Sequence, residues 1–230
     1  LGFQKYSAVD YPWPYLVPTE KSFAFPPEER KDQAVAVASW RVSFIRGSLY
    51  SLRAEVFSDL EVDLYGLGWD SSLRSKVVSA VGNLLIGLAS GKHFSFSLRQ
   101  LTREPSKYLG AVDNKFATLS NYKVSVVIEN SEDYTSEKLL DSIFSGNIPV
   151  YCGADPRLIG VPDRLVIRCE PSCDSVRMGI QRALNQDYGE WRARALEWVT
   201  QVRLEQTLTD SGVWSSVIDK LLKHSEEEAN

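Results

Sequence analysis

The chain has 230 residues, 43% of them hydrophobic and 24% charged, which is enough apolar material for one packed core and a small accessory piece. The formal net charge of -4 argues against the broad basic face of a nucleic-acid-binding protein, so we expect no nucleic acid partner. The longest apolar run, around 84–89, is far shorter than the ~20 residues of a spanning helix, and we expect no membrane segment in this chain.

Residues 1–33 are rich in proline and aromatic residues and show no usable periodicity, so they are predicted to form an arm or a linker. Residues 34–230 are predicted to form one domain in which strand and helix patterns alternate. The predicted strands lie at 34–40, 62–65, 124–128, 148–151 and 165–168. The predicted helices lie at 48–60, 71–89, 135–146, 174–185, 188–207 and 212–224, with Gly91 ending the second. This alternation predicts an α/β, Rossmann-like parallel sheet with helices on both faces.

The unit from 122 to 153 is the most informative part of the chain. A short apolar, β-branched strand is followed at once by the polar residues Glu129, Asn130 and Ser131. Thr135 or Ser136 suits the N-cap of the next helix, and Gly146 suits its C-terminal end. The helix amino terminus therefore meets the carboxyl end of a buried strand, where parallel α/β sheets bind ligands.

This arrangement predicts an anion site. Free amides and a partial positive charge mark the helix start, beside Glu137 and Lys138. Lys138 could neutralise a phosphate oxygen, and Glu137 could accept hydrogen bonds from ribose or sugar hydroxyls. The alternative is a surface helix with an acidic first turn and a solvated lysine. No Gly-x-Gly-x-x-Gly and no Walker loop occurs, which argues against dinucleotide oxidoreductases and P-loop kinases.

The order of short motifs in this unit is more specific than each motif alone. Tyr-Lys stands at 122–123, Glu-Asn-Ser at 129–131, Asp-Tyr-Thr-Ser-Glu-Lys at 133–138 and Gly-Asn-Ile-Pro-Val-Tyr-Cys-Gly at 146–153. This order resembles the signature of the family 10 glycosyltransferases, the α-1,3/α-1,4-fucosyltransferases. Thinner similarity extends upstream, to 51–66 and 108–123. The departures are Val124 and Ile128 where phenylalanine is usual, and Thr135-Ser136 for Val-Thr.

The resemblance implies the donor-binding half of an enzyme with two Rossmann-like lobes. Such an enzyme transfers fucose from GDP-fucose to a hydroxyl of a carbohydrate acceptor, with inversion. The donor-binding residues that the resemblance implies are Arg53, Glu129, Asn130, Tyr134, Ser136, Glu137 and Lys138. Cationic side chains would stabilise the leaving diphosphate, and no Asp-x-Asp motif is present to hold a metal, so we expect neither a metal nor a cofactor.

Sugar transfer also needs a general base, and no residue of this chain can be matched to one. In the family the base lies in the acceptor-binding lobe, so a missing N-terminal lobe is expected. Two alternatives stay open. One is a non-catalytic nucleotide-sugar-binding or structural α/β module, and the other is a glycosyltransferase that uses a different nucleotide sugar.

The three cysteines, Cys152, Cys169 and Cys173, are an odd number in a chain too large to need disulfide bonds. This favours a reducing compartment, and for a bacterial protein a cytoplasmic one, with any membrane anchor outside this chain. Cys169 and Cys173 lack the further ligands that a structural zinc site requires. Because the chain begins with Leu1 and shows no signal peptide, we expect it to be part of something longer or a processed form.

Overall fold

The computed structural model describes residues 30–89 and 99–208, which form an α/β fold around a five-stranded sheet. The strands are β1 Lys31–Val37, β2 Asp63–Tyr65, β3 Tyr122–Ile128, β4 Ile148–Cys152 and β5 Ile167–Arg168. They lie in the order β2-β1-β3-β4-β5, and every neighbouring pair is parallel. The predicted Rossmann-like parallel sheet is confirmed.

Helices connect the strands and continue beyond β5. The helices of the described residues are α1 Tyr50–Asp59, α2 Leu73–Ala89, α3 Arg99–Thr102, α4 Lys115–Leu119, α5 Glu137–Phe144, α6 Cys173–Asn185 and α7 Tyr188–Leu208. Two short 3-10 helices, Pro156–Ile159 and Asp163–Leu165, lie between β4 and β5. The chain therefore alternates strand and helix as its hydrophobic pattern predicts. No helix of the described residues has both the length and the apolar content needed to cross a membrane.

The helices cover both faces of the sheet. Ser142 of α5 hydrogen bonds to Ser125 of β3, while Gly179 of α6 lies against Val150 of β4. Ser125 is paired in register with Pro149, the chain neighbour of Val150. Because consecutive residues of a strand point to opposite faces, α5 and α6 lie on opposite sides of the sheet.

The centre of the sheet is the most deeply buried part of the fold. Every residue of β4 is buried, and in β3 only Lys123 is part-exposed. This burial accounts for the mostly apolar runs from which these strands were predicted, and the buried hydroxyl of Ser125 in β3 pairs with that of Ser142. Pro149 has no N–H to donate to a neighbouring strand. It fits within β4 because the pairing with β5 begins only at Val150, so β4 has a single neighbour, β3, at this position.

Some boundaries differ from the sequence expectations. β1 begins at Lys31 instead of residue 34, because its polar first residues pair through the main chain, with Lys31 N donating to Asn121 O at 2.8 Å. The last predicted strand shortens to Ile167–Arg168, since Leu165 ends a 3-10 helix. The short helices α3 and α4 were not predicted. Residues 1–29, Gly91 and the predicted helix at 212–224 lie outside the described residues.

Candidate functional site at the carboxyl edge of the sheet

The strand order reverses between β1 and β3. The chain passes from β1 outward to β2 and then returns to the other side of β1 to form β3. In parallel α/β sheets, the crevice at the carboxyl ends of such a strand pair is the usual place for a ligand. A small cleft lies over these two strands, on the face that helices α4 and α5 cover. Its lining comes from Val37 and Ala38, from β3 residues 125–128, and from Lys115, Leu119, Lys138 and Ser142.

Glu129, the first residue after β3, carries a fully buried side chain. Its Oε1 accepts a hydrogen bond from Ser136 N at 2.9 Å, and its Oε2 lies 2.8 Å from Ser136 Oγ and 3.2 Å from Lys138 Nζ. A buried carboxylate needs such partners, because it has lost its hydration. Glu129 therefore fixes the start of α5 and the position of Lys138, and its action on a ligand would pass through Lys138.

The start and end of α5 follow from its sequence. Ser136 is the N-cap, one of the two predicted candidates, and its Oγ accepts a hydrogen bond from Lys138 N at 3.4 Å. Gly146, at φ 77°, closes the other end as predicted, and its amide and that of Asn147 donate to carbonyls of the last turn. The partial positive charge of the α5 amino terminus consequently lies at the same edge of the sheet as Glu129.

Two lysines border the cleft, and each is paired with a buried carboxylate. Lys138, whose side chain is 21% exposed, forms an ion pair with Glu129, and its Nζ also lies 2.8 Å from Ser136 Oγ. The side chain of Lys115 is 27% exposed and forms an ion pair with Asp141. An ammonium group has three N–H donors, so the two bonds of Lys138 leave one donor for a ligand. The phosphate contact expected of Lys138 stays a prediction.

Arg53 joins α1 to the carboxyl end of β3. It is 4% exposed, and its Nε and Nη2 donate to Ile128 O at 2.9 and 2.6 Å. Nη2 also donates to Asn130 Oδ1 at 2.9 Å, and the ring of Tyr50 lies 4.7 Å from the guanidinium carbon. Burial lowers the pKa of Arg53. Arg53 therefore positions the end of β3, while its expected contact with a nucleotide stays a prediction.

Tyr134 and Glu137 flank the start of α5. Tyr134 is half-buried, and burial raises its pKa, with further increases from the carboxylates of Glu129 and Glu137. Glu137 is the first residue of α5 and is exposed. Within the described residues, no side-chain hydrogen bond involves either residue, so both retain polar atoms for a ligand.

The turn after β4 packs closely against Glu129. A Cβ atom on Gly153 would lie 2.7 Å from Glu129 Cγ and 2.4 Å from Tyr151 Oη. Both distances are too short for non-bonded atoms. Tyr151 Oη in turn lies 3.0 Å from Thr135 Oγ1, just before the α5 cap. Glycine at 153 is thus required by the approach of this turn to the buried carboxylate.

Trp40 is a residue at this edge that the sequence analysis did not assign. Its buried indole Nε1 has no hydrogen-bond partner within residues 30–89 and 99–208, which is uncommon for a buried donor. The ring lies 5.6 Å from the ammonium of Lys76, which donates to Trp69 O at 3.0 Å. Trp40 is the last residue of the predicted strand 34–40, which ends at Val37 in the structure, and a core tryptophan would give the same pattern.

One group of possible metal ligands occurs among the described residues, away from the cleft. Ligand atoms of Glu55, Asp59 and Cys173 lie within 4.8 Å of one another where α1 meets α6. Asp59 is already paired with Arg103 at 2.7 Å. The expectation of a metal-independent site at the carboxyl edge stays a prediction.

Comparison with known proteins gives distant matches among solved structures. No protein-family model matches the chain, and no curated protein does. An α1,3-fucosyltransferase structure is 19% identical with a TM-score of 0.40, over 73% of this chain and 37% of that one. An α1,3-fucosyltransferase structure with GDP-fucose is 16% identical with a TM-score of 0.35, over 77% of this chain and 38% of that one. The glycotransferase of kitacinnamycin is 13% identical with a TM-score of 0.42, over 85% of this chain and 44% of that one.

The chain spans less than half the length of each of these structures. At these identities and TM-scores, no residue role is transferred from these structures. The roles at the carboxyl edge therefore depend on the contacts described above.

Proposed function

We propose that this chain is the donor-binding half of a glycosyltransferase that uses a nucleoside diphosphate sugar, GDP-fucose in the first instance. The observation that carries the proposal is the cluster of Glu129, Ser136 and Lys138. It joins a helix amino terminus, a lysine and a buried carboxylate beside the cleft that β1 and β3 form with α4 and α5. The motif order that resembles the family 10 fucosyltransferases supports the choice of donor.

The chemistry of the transfer explains why such a cluster suits the reaction. When the glycosidic bond to the diphosphate breaks, negative charge grows on the leaving phosphate oxygens. The remaining N–H of Lys138 and the amino terminus of α5 can stabilise that charge in place of a metal ion. Glu137 and Tyr134 provide an acceptor and a hydroxyl at the same edge, which suits recognition of ribose or sugar hydroxyls.

Calorimetric titration with GDP, GDP-fucose, GDP-mannose and UDP tests the donor assignment. We expect GDP and GDP-fucose to bind more tightly than UDP, and GDP-fucose more tightly than GDP-mannose. Equal affinity for UDP and GDP would contradict a guanine nucleotide as donor. Equal affinity for the two GDP sugars would leave a nucleotide-sugar enzyme and contradict fucose.

The same titration in EDTA tests the absence of a metal. We expect unchanged affinity, because the cationic groups occupy the role that Mg²⁺ or Mn²⁺ has elsewhere. Loss of GDP binding in EDTA, with recovery on adding manganese, would contradict this part of the proposal.

A purely structural module, which binds no nucleotide, is the second candidate, and one observation favours it. The charged groups are already paired inside the protein: Lys138 with Glu129, Lys115 with Asp141, and Arg53 with Ile128 O. A closed network of this kind also occurs in purely structural sites. The GDP titration separates the candidates, since a structural module would bind none of the nucleotides.

We also expect the isolated chain to bind the donor without appreciable transfer. A positioned base contributes about 10²–10⁴-fold to the rate, and the base is expected in a further lobe. Robust fucose transfer to a lactosamine-type acceptor by these 230 residues alone would show that the base lies within them.

A further inference from the structure

Cys152 and Cys169 lie opposite each other at the carboxyl ends of β4 and β5. Tyr151 is paired in register with Arg168, and Cys169 N donates to Tyr151 O at 2.9 Å. The residues that follow this pair, Cys152 and Cys169, therefore lie side by side. Paired residues of neighbouring strands point to the same face. Here that face is covered by α6, since a Cβ on Gly179 would lie 2.5 Å from Cys169 Sγ.

We propose that Cys152 and Cys169 form a reversible disulfide in response to low-molecular-weight disulfides such as oxidised glutathione. Both cysteines are free thiols in this structure. Neighbouring strands are about 4.7–4.9 Å apart, which falls within the Cα separations of about 4.4–6.8 Å that disulfides span. The Cβ atoms of a disulfide lie closer together than those of facing strand residues, at about 3.8 Å, so closing the bond draws the strand ends together.

The two thiols differ in the way that a stepwise exchange requires. Cys169 is part-exposed, whereas Cys152 is 1% exposed, so an oxidant meets Cys169 first. Hydrogen bonding from Cys152 lowers the pKa of the Cys169 thiol, and Ser175 adds to this, while the Cys169 contact and burial raise the pKa of Cys152. The thiolate is the attacking form, so Cys169 is the more reactive of the pair.

The exchange balances in two steps. The Cys169 thiolate attacks one sulfur of the oxidised glutathione, forms a mixed disulfide and releases one glutathione thiolate. The Cys152 sulfur then attacks Cys169 Sγ, breaks the mixed disulfide and releases the second glutathione. The protons of the two cysteines pass to the two glutathione thiolates, and the protein loses two electrons that reduce the oxidant.

The disulfide would reach the candidate site through the main chain. Glu129 N donates to Cys152 O at 2.8 Å, and the adjacent Gly153 packs against Glu129 Cγ. Drawing Cys152 toward β5 therefore displaces the group that holds Lys138. This link rests on the proposed function, and it predicts a severalfold loss of GDP affinity in the oxidised protein, restored by dithiothreitol.

Peptide mapping by mass spectrometry after incubation with oxidised glutathione tests the disulfide directly. We expect a linked peptide pair containing Cys152 and Cys169, lighter by two hydrogen atoms and reversed by dithiothreitol. Cys173→Ser should leave the link intact, and Cys152→Ser should stop at a glutathione adduct on Cys169. A wild-type protein that accumulates only that adduct, or that links Cys173, would overturn the proposal.

Titration of GDP into the reduced and the oxidised wild-type protein tests the link to the site. Equal affinity in the two states would refute the coupling, even with the disulfide mapped. If neither state binds GDP, the proposed function fails, and with it the coupling, while the peptide map still decides whether the disulfide forms.

Discussion

Arg30 and Glu129 are two buried charged residues at opposite ends of the strands, and they bond to different kinds of group. At the amino edge, Arg30 donates to the main-chain oxygens of Tyr122 and Gly146 at 2.8 and 2.9 Å, and to that of Ser145 at 2.6 Å. At the carboxyl edge, Glu129 is bonded mainly to the side chains and amide at the start of α5. Bonds to main-chain carbonyls commit a side chain to the fold, whereas paired side chains can exchange partners when a ligand arrives.

Arg30→Met should show this difference most strongly, by lowering stability without changing GDP affinity. The change removes three buried hydrogen bonds, although Tyr122 O keeps Asn147 Nδ2 as a donor and Gly146 O keeps Tyr188 Oη. Each lost hydrogen bond contributes about 1 kcal/mol net. We expect the free energy of unfolding, measured with urea, to fall by about 3 kcal/mol, with GDP affinity of the folded protein unchanged. A fall in the free energy of unfolding of less than about 1 kcal/mol would contradict a structural role for Arg30.

Gly153→Ala should affect both stability and the site. The new Cβ overlaps Glu129 Cγ and Tyr151 Oη, and relieving such overlap in a packed core typically costs about 1–3 kcal/mol. Because Glu129 must shift, GDP affinity should also fall. Gly82→Ala is the control, since a Cβ there meets nothing within 4 Å and helix propensity favours alanine. If Gly153→Ala keeps wild-type affinity and stability, the close packing around Glu129 is not needed.

Ser136→Ala and Ser172→Ala form a matched pair of N-cap changes. Ser172 caps α6 by accepting from Ser175 N at 3.2 Å. Each change should cost about 1 kcal/mol of stability from the lost cap. Ser136 Oγ also contacts Glu129 and Lys138, so GDP affinity should fall for Ser136→Ala alone. Equal effects of the two variants on affinity would place the site elsewhere.

The central strands could be predicted from the sequence because β3 and β4 are buried on both faces. Continuous apolar runs such as 124–128 and 148–151 leave little ambiguity, and Ser136 and Gly146 mark the ends of α5 by well-understood capping chemistry. Short helices without a full apolar stripe, such as α4, carry too weak a pattern to predict.

The grouping of the site residues was predictable, but their pairing was not. Parallel strand ends bring Glu129 and the start of α5 to one edge whatever the side chains do. Nothing in the spacing says that Glu129 is fully buried under Lys138, or that Arg53 bonds to Ile128 O. These contacts depend on side-chain packing across three elements, which residue order alone does not specify.

The most direct test of the central claim compares two lysines at opposite edges by calorimetric titration with GDP. Lys138→Met removes the cation beside the cleft, and Lys123→Met removes one that pairs with Asp32 on the surface, at 3.1 Å. Both variants lose one positive charge, and their urea unfolding curves establish that each is folded.

A diphosphate site at the start of α5 predicts wild-type affinity for Lys123→Met and a loss of about tenfold or more for Lys138→Met. A loss of this size is the effect of one charge-assisted hydrogen bond to a phosphate. Wild-type GDP affinity in a folded Lys138→Met variant, or the same loss in both variants, would contradict a diphosphate site at the start of α5.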